Sequence, residues 1–186
     1  MEIDMMKEPD VMVYLMTGFL DSGKTQFLNF TLSQDYFQID GKTLLILCEE
    51  GEEEYDPREL LKYGVVIETV EDKEDLTEEW LEEMNKKHKP ERVVIEYNGM
   101  WQVSEFEKMK LPAGWAIEQK ITTVDASTFQ MYLTNLKPLF VEMVKGAELV
   151  LFNRCEDKKP LAGYRRRVKV VSPQAEVIFE DENGEV

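Results

Sequence analysis

The segment from Gly18 to Thr25 reads GFLDSGKT and constrains this chain more than any other. It matches the pattern GxxxxGKT, and it lies between a strand-like apolar run at 11–16 and a helix-like run at 26–32. In that context the glycines direct backbone N–H groups and the start of the helix at phosphate oxygens. Lys24 can reach the β and γ phosphates, and the Thr25 hydroxyl suits Mg²⁺. The segment predicts a nucleoside-triphosphate site, and the alternative is an ordinary glycine-containing turn between a strand and a helix.

Chain length and net charge limit the number of domains and the kinds of partner that the protein can bind. A chain of 186 residues with 43% hydrophobic residues is long enough to bury a core as one domain. Its 22 basic and 38 acidic residues give a net charge of −16, which argues against a nonspecific nucleic-acid binder and against binding to an anionic membrane. We interpret the acidic runs at 49–54, 68–79 and 180–185 as solvated faces and loops.

The number of cysteines and the length of the apolar segments indicate the cellular compartment of the protein. Cys48 and Cys155 are the only cysteines, too few for a disulfide framework, and we interpret both as core residues in a reducing environment. The start of the chain lacks the pattern of a signal peptide, and no window approaches 18 apolar residues in a row. We therefore expect a soluble, cytoplasmic protein.

Short apolar runs alternate with amphipathic segments along the chain, which predicts a three-layer, doubly wound α/β fold with a mostly parallel sheet. Strands are predicted at 11–16, 43–48, 65–69, 92–96, 116–124, 148–152 and 176–179, and helices at 24–33, 57–62, 76–88, 104–109, 127–144 and 160–170. Within the third helix, Leu76, Trp80, Leu81 and Met84 form one apolar stripe that we assign to the core.

Ligands of open parallel sheets bind beyond the carboxyl ends of the strands. Three segments after predicted strands therefore deserve attention: CEEGEEEYD at 48–56, EYNG at 96–99 and NRCE at 153–156. Glu96 can hold Mg²⁺ or orient a water, or it is a solvated acid at a strand end. Asn153 and Glu156 can recognise a guanine, because a carboxylate accepts hydrogen bonds from the ring N–H and the exocyclic amino group of the base together. Taken alone, NRCE is a weak signal.

Taken together, these segments resemble the CobW-like GTPases, relatives of the urease and hydrogenase nickel-insertion GTPases (CobW/HypB/UreG). The family's GFLGAGKT resembles GFLDSGKT, its NEFGExxxD resembles CEEGEEEYD, and its ExxG matches Glu96 and Gly99. Its VVDA resembles TVDA at 123–126, its NKxD falls on 153–156, and its closing segment resembles the end of this chain. The resemblance implies the G domain of a P-loop NTPase of the SIMIBI type.

The resemblance also implies roles for particular residues. Catalytic roles fall on Lys24, Glu96 and Asp56, and Mg²⁺ ligation on Thr25, Glu49, Asp56 and Glu96. Nucleotide-binding positions are Gly18, Asp21, Ser22, Gly23, Lys24, Thr25, Gln26, Gly99, Asn153, Arg154 and Glu156. The segment 49–56 would be a switch loop that the triphosphate orders and hydrolysis, slow in this family, releases.

The sequence departs from the family at several points. The family commonly carries a CxCC motif, a thiolate cluster suited to zinc, and this chain has none, so we expect no transition metal at such a site. His88, the sole histidine, is interpreted as a solvated helix end. Arg154 and Glu156 replace the Lys and Asp of the guanine motif, which puts the preference for GTP over ATP in question, and Asp21 should face away from phosphate.

The resemblance suggests the partners of the chain. We expect GTP and Mg²⁺ as cofactors and GTP or GDP as the bound nucleotide. A client metalloprotein and a nucleotide-dependent homodimer are further partners that the resemblance suggests. Residues 1–186 are expected to form one nucleotide-binding domain without the C-terminal domain that most family members carry, either as a fragment or as a naturally short form.

Two other functions compete with a regulatory GTPase. A small-molecule kinase shares the loop and often closes a lid with arginines, for which Arg165, Arg166 and Arg167 are candidates, although we favour a basic helix face for them. A nucleotide-gated interaction module without useful hydrolysis is the third reading.

Overall fold

A computed structural model describes residues 9–49 and 54–181 of the chain. Seven strands lie in these ranges: β1 Val11–Thr17, β2 Thr43–Leu47, β3 Val65–Thr69, β4 Arg92–Glu96, β5 Trp115–Asp125, β6 Leu149–Asn153 and β7 Glu176–Phe179. The helices are α1 Lys24–Leu32, α2 Pro57–Leu61, α3 Glu78–His88, α4 Val103–Glu107, α5 Phe129–Asn135, α6 Lys137–Val144 and α7 Leu161–Val171. None of the helices within those ranges is long and apolar enough to cross a membrane.

The strands form one sheet in the order β3-β2-β4-β1-β5-β6-β7, and every pairing is parallel. The prediction of a doubly wound α/β fold is therefore confirmed, with a sheet that is parallel throughout its described strands rather than mostly so. Neighbouring parallel strands need crossover connections, which are right-handed. The face of the sheet on which a connecting helix lies therefore depends on the direction in which the chain moves along the strand order. Helices of connections that run in opposite directions lie on opposite faces.

Two apolar clusters fill the two faces of the sheet. Helices α1 and α2 contribute Leu28, Leu32 and Leu60 to one cluster, which includes Leu45 and Val94 of the central strands. Helices α3 to α7 cover the other face, where Val93 and Ile95 point. Because central strands are buried on both faces, their runs are continuously apolar, which explains why they show no polar alternation.

One predicted helix is wrong. The segment 127–144 forms two helices, α5 and α6, that are separated at Leu136, whose backbone is not helical (φ −130°, ψ 34°). Pro138 lies in the first turn of α6, and because proline lacks the N–H that a continuous helix would use, a new helix begins there.

The predicted start of the third helix is also early. Leu76 is buried but precedes α3, which begins at Glu78 after its N-cap Thr77, whose hydroxyl accepts a hydrogen bond from Trp80 N at 3.1 Å. The apolar stripe thus contacts the core as predicted, with its first member outside the helix.

Candidate functional site

The topology brings the predicted site segments to one edge of the sheet. Strand β1 lies between β4 and β5, with Met16 opposite Glu96 and Thr17 opposite Thr122. The GFLDSGKT loop, which follows β1, therefore lies between the segments that follow β4 and β5. Strand β6 pairs with β5 so that Asn153 lies opposite Asp125, which adds the NRCE segment to the same edge.

Two glycines allow these segments to approach closely. A Cβ at Gly99 would lie 2.5 Å from Gly18 O and 2.8 Å from Leu20 N, so the segment after β4 packs directly against the backbone of the loop. Gly23 adopts a positive φ of 94°, which favours glycine, and a Cβ there would meet the Asn153 amide at 2.5 Å. A larger residue at either position would push the loop away from its neighbours.

Lys24 is buried inside the loop and makes three polar contacts with other described residues. Its Nζ donates to Gly18 O at 2.8 Å and Phe19 O at 2.9 Å, and lies 2.6 Å from Glu49 Oε2. The side chains of Lys24 and Glu49 are only 2% and 8% exposed. The second oxygen of Glu49 accepts a hydrogen bond from Gly99 N at 3.1 Å. Glu49 thus joins the end of β2 both to the loop lysine and to the EYNG segment.

Thr25 and Glu96 form a second buried contact behind the loop. Thr25 Oγ1 donates to Glu96 Oε1 at 2.8 Å, and the hydroxyl of Tyr55 donates to Glu96 Oε2. Burial raises the pKa of the Glu96 carboxyl, and the hydrogen bonds from Tyr55 and Thr25 oppose that shift. Burial and the Glu96 charge also raise the pKa of Tyr55, so its hydroxyl keeps the proton that it donates.

Asp56 lies at the start of α2 rather than beside Thr25. Its carboxylate caps the helix by accepting from Arg58 N at 2.9 Å and Glu59 N at 3.3 Å. Its side chain is exposed, and no hydrogen bond within the described ranges joins it to Glu96 or Thr25. Its predicted part in catalysis and in Mg²⁺ binding stays a prediction.

Asn153 connects the NRCE segment to the phosphate loop. Its Nδ2 donates to Ser22 O at 2.7 Å, while its Oδ1 is buried with no hydrogen-bond partner among the described residues. A buried acceptor without a partner costs free energy, and such a group at this edge marks a place where a ligand donor would be satisfied. The Ser22 hydroxyl lies 2.8 Å from Thr123 Oγ1, which fixes the loop to β5.

Arg154 spans the loop and β5. Its guanidinium donates to Asp21 O at 2.9 Å and to Asp125 Oδ2 at 2.6 Å. Asp21 itself is exposed, with a positive φ of 57°. Glu156 is exposed as well, and its carboxylate forms no hydrogen bond within residues 9–49 and 54–181. Its predicted contact with guanine stays a prediction.

The remaining predicted positions differ in exposure. Gln26 is exposed in the first turn of α1, and its role is not fixed by any contact in the described ranges. Cys48 is 1% exposed, and burial, followed by the charges of Glu96 and Glu49, raises the pKa of its thiol. The uncharged thiol packs as a core residue, as predicted. Gly51 and Glu52, which match the family pattern, lie outside the described residues.

Comparison with known proteins decides the family. A sequence model described as CobW/HypB/UreG, nucleotide-binding domain, matches residues 12–179. The chain belongs to this CobW/HypB/UreG family. No curated protein sequence matches the chain significantly.

Solved structures share the fold of this CobW/HypB/UreG domain. The Zn(II)-bound YjiA GTPase from E. coli has 22% identity and a TM-score of 0.66, over 95% of this chain and 59% of that protein. The hydrogenase maturation factor HypB from Archaeoglobus fulgidus has 16% identity and a TM-score of 0.68, over 95% of this chain and 84% of HypB. HypB from Helicobacter pylori, in complex with nickel, has 10% identity and a TM-score of 0.53, over 94% and 80%. The chain thus spans about three-fifths of the length of YjiA.

Some residues of the site were not predicted from the CobW/HypB/UreG motifs. Tyr55 contacts Glu96, and Asn98 Nδ2 donates to Cys48 O at 3.0 Å, which ties the end of β4 to the end of β2. The ring of Phe19 stacks on Tyr132 with centroids 4.3 Å apart, which anchors the loop to α5. Position in the sequence could have identified both residues. Tyr55 lies inside CEEGEEEYD and Asn98 inside EYNG, two segments that also contain residues matching the family pattern.

Proposed function

We propose that this chain is a Mg²⁺-dependent GTP-binding domain with slow hydrolysis that works as a nucleotide-dependent switch. The observation that carries the proposal is the buried contact of Thr25 with Glu96 directly behind the loop that holds the Lys24 ammonium. This arrangement offers a cation, backbone donors and a pair of hard oxygen ligands within one short stretch of the sheet edge.

The residues of the site fit a divalent cation of the Mg²⁺ type. Mg²⁺ is bound in nucleotide sites by one or two protein oxygens together with phosphates and waters, and the Thr25 hydroxyl and Glu96 carboxylate are oxygen ligands of that kind. When bound, it would neutralise charge on the phosphate oxygens. No group of three or more His, Cys, Asp or Glu side chains that could hold a metal ion is found in the described part of the chain.

The guanine assignment is supported by Asn153. Its buried Oδ1 lacks a partner among the described residues and its Nδ2 contacts the phosphate loop, so the side chain is fixed beside that loop with hydrogen-bonding capacity left over. Arg154, held by Asp125, presents its aliphatic stem at the same edge, where it can pack on a base.

Slow hydrolysis is supported by the state of Glu96. Both of its oxygens already accept a hydrogen bond from a hydroxyl group, which makes the carboxylate a weaker base toward an attacking water. The same observation favours a second candidate, a nucleotide-gated interaction module without useful hydrolysis.

The role as a switch rests on the position of Glu49 and Tyr55 at the two ends of the segment between β2 and α2. Each contacts a residue of the nucleotide site, so a ligand that alters Lys24 or Glu96 also alters this segment. We propose a cytoplasmic protein that assists metalloprotein maturation, since HypB, a hydrogenase maturation factor, shares its fold. A nucleotide-dependent homodimer belongs to the same proposal.

The arginines that would favour a kinase lie elsewhere. Arg165 packs over the ring of Phe179 in β7, 5.0 Å from its centroid. None of the contacts in the described ranges joins Arg165, Arg166 or Arg167 to the loop at 18–25.

Calorimetric titration of the purified chain with GTP and with ATP, with and without Mg²⁺, tests the proposal. GTP is expected to bind, more tightly with Mg²⁺, and ATP to compete poorly. Lys24→Ala is expected to abolish binding, because the ammonium is the cation that faces the phosphates. Equal binding of ATP would defeat the guanine assignment, and no affinity for either nucleotide at millimolar concentration would defeat the function. Turnover measured beside binding separates a slow GTPase from a module without hydrolysis.

A further inference from the structure

Tyr55 is a half-buried tyrosine at a position of CEEGEEEYD that the family pattern leaves open. It directly precedes Asp56, the N-cap of α2, and its ring packs against the apolar cluster formed by α1, α2 and the sheet. A buried tyrosine hydroxyl needs a hydrogen-bond partner, and this one donates to Glu96 Oε2. The partner is therefore the carboxylate that ends the central strand β4.

The Glu96 carboxylate is held from two directions. Thr25, at the start of α1, donates to Oε1 at 2.8 Å, and Tyr55, before α2, donates to Oε2. The last torsion of a glutamate side chain is broad, so one hydrogen bond leaves the carboxylate plane free to rotate. Two hydroxyl groups from different elements fix that plane.

The orientation matters because Glu96 and Thr25 lie beside the phosphate loop. A ligand group that is fixed by its neighbours loses less conformational freedom when a metal ion binds, and outer partners of ligating carboxylates affect affinity for that reason. A side chain with the shape of tyrosine but no hydroxyl would keep the apolar packing and lose only this restraint.

We propose that Tyr55 is a positioning residue, which orients the Glu96 carboxylate for the divalent cation of the bound nucleotide. The inference rests on the proposed function. It adds a residue that acts through Glu96 and does not itself contact the nucleotide.

Tyr55→Phe is the variant that tests the inference. Mg²⁺ binding to the GTP-loaded protein, measured by calorimetry, is expected to weaken about tenfold, the lower end of the effect that outer partners of metal ligands have. GTP affinity in the presence of EDTA should match the wild type, because the contacts of Lys24, Ser22 and Asn153 are untouched. At saturating Mg²⁺ both the KM for GTP and kcat should match the wild type, because excess metal ion fills the weakened site. At limiting Mg²⁺ turnover by the variant should fall below that of the wild type.

Tyr63→Phe is the matched control. Tyr63 follows the same short helix and packs against the same apolar cluster, and its hydroxyl forms no hydrogen bond within the described ranges. The control variant should bind Mg²⁺ as the wild type does.

A double-mutant cycle separates positioning from a general structural role. If Tyr55 acts through Glu96, Tyr55→Phe should have no further effect on Mg²⁺ affinity in a Glu96→Ala background. Additive effects in that cycle, or a Tyr55→Phe variant with unchanged or tighter Mg²⁺ binding, would overturn the inference and leave the proposed function intact. A wild-type chain that binds no Mg²⁺–GTP would overturn both.

Discussion

At the scale of single residues, the contact that most affects ligand binding is the buried ion pair between Lys24 and Glu49. Within the described part of the chain the ammonium has three acceptors, of which two are loop carbonyls and the third is the Glu49 carboxylate at 2.6 Å. These contacts engage all three N–H groups of the ammonium, so a phosphate that binds Lys24 has to displace one of them, and Glu49 is the anion with which it competes. Part of the free energy of nucleotide binding therefore goes into breaking an interaction of the protein itself.

Glu49→Gln should tighten GTP binding in the absence of Mg²⁺. The amide keeps an acceptor for Gly99 N but no longer neutralises Lys24, so the phosphate meets less competition. We expect affinity to rise about tenfold, equivalent to about 1.4 kcal/mol, and the nucleotide-free protein to melt at a lower temperature because a buried charge loses its partner. Calorimetry in EDTA and a thermal melt measure the two effects.

Glu54→Gln is the control for the change in net charge, because Glu54 is an exposed acid close to Glu49 in sequence. It should leave both measurements unchanged. Weaker GTP binding by Glu49→Gln in EDTA would show that Glu49 supports the nucleotide rather than competing with it.

Much of the site could be predicted because its residues lie at or after the ends of strands. Lys24 and Thr25 follow the loop after β1, whereas Glu96 and Asn153 are the last residues of β4 and β6. The apolar runs indicate these strands, and parallel strands end at the same edge. The ion pair between Arg154 and Asp125 and the Tyr55 contact were missed, because they depend on the paths of loops from different strands. Spacing along the chain carries no information on those paths.

At the scale of elements, Glu68 joins the edge strand β3 to the end of α3. Its Oε1 lies 2.5 Å from Lys87 Nζ and 2.6 Å from His88 Nε2, and the His88 side chain is 13% exposed. The expectation of a solvated histidine was therefore wrong, because the sequence neighbours of His88 do not show that β3 presents an acid to it. Partial burial raises the pKa of Glu68, but the hydrogen bonds from Lys87 and His88 outweigh it and hold the pKa below the ordinary value of 4.5.

Glu68→Gln should lower the free energy of unfolding by about 1 kcal/mol at neutral pH. Because the folded-state pKa is depressed, this stabilisation is present above the unfolded pKa near 4.5 and is lost as the pH falls through the folded value. Urea unfolding at neutral and acidic pH measures the difference between wild type and variant.

The exposed Glu83 on α3 provides the control, since Glu83→Gln removes the same charge without this contact. A Glu68→Gln effect that stays constant down to about pH 3, well below the ordinary carboxyl pKa of 4.5, would exclude the ion pair as its cause.

The elements themselves show which signals in the sequence are sufficient. Buried parallel strands are short and apolar, so their places could be predicted within a residue or two. The division of 127–144 into α5 and α6 was missed although Pro138 marks it, because the amphipathic pattern continues across Leu136 and both helices bury their apolar faces in the same core. The amphipathic pattern indicates which face of a helix is buried, whereas Pro138 indicates where one helix ends and the next begins.

At the scale of the whole molecule, the order of the strands follows from the direction in which each crossover steps. The chain moves outward from β1 to β3, returns to β4 and then proceeds to β7 on the other side. The alternation of strands and helices predicts the helix–sheet–helix layers. No local feature of the sequence indicates on which side of a strand the next strand is added. Right-handed connections then assign α1 and α2 to one face and the later helices to the other.

The net charge of −16 is a property of the whole surface, and it should make the fold sensitive to salt. Mutual repulsion of surface carboxylates destabilises the compact state, and ions at 0.1 M screen such charges beyond about 10 Å. Screening also weakens surface ion pairs, but each of these contributes little, so the repulsion is the larger effect. We expect the midpoint of thermal unfolding to rise by several degrees with KCl, since about 1 kcal/mol corresponds to roughly 2–4 °C in a domain of this size.

NaCl should give the same slope, and so should Lys24→Ala, which removes the cation at the phosphate loop and thereby excludes chloride binding there as the cause. A midpoint that falls with salt would mean that attractive pairs such as those of Glu68 and Lys120 outweigh the repulsion.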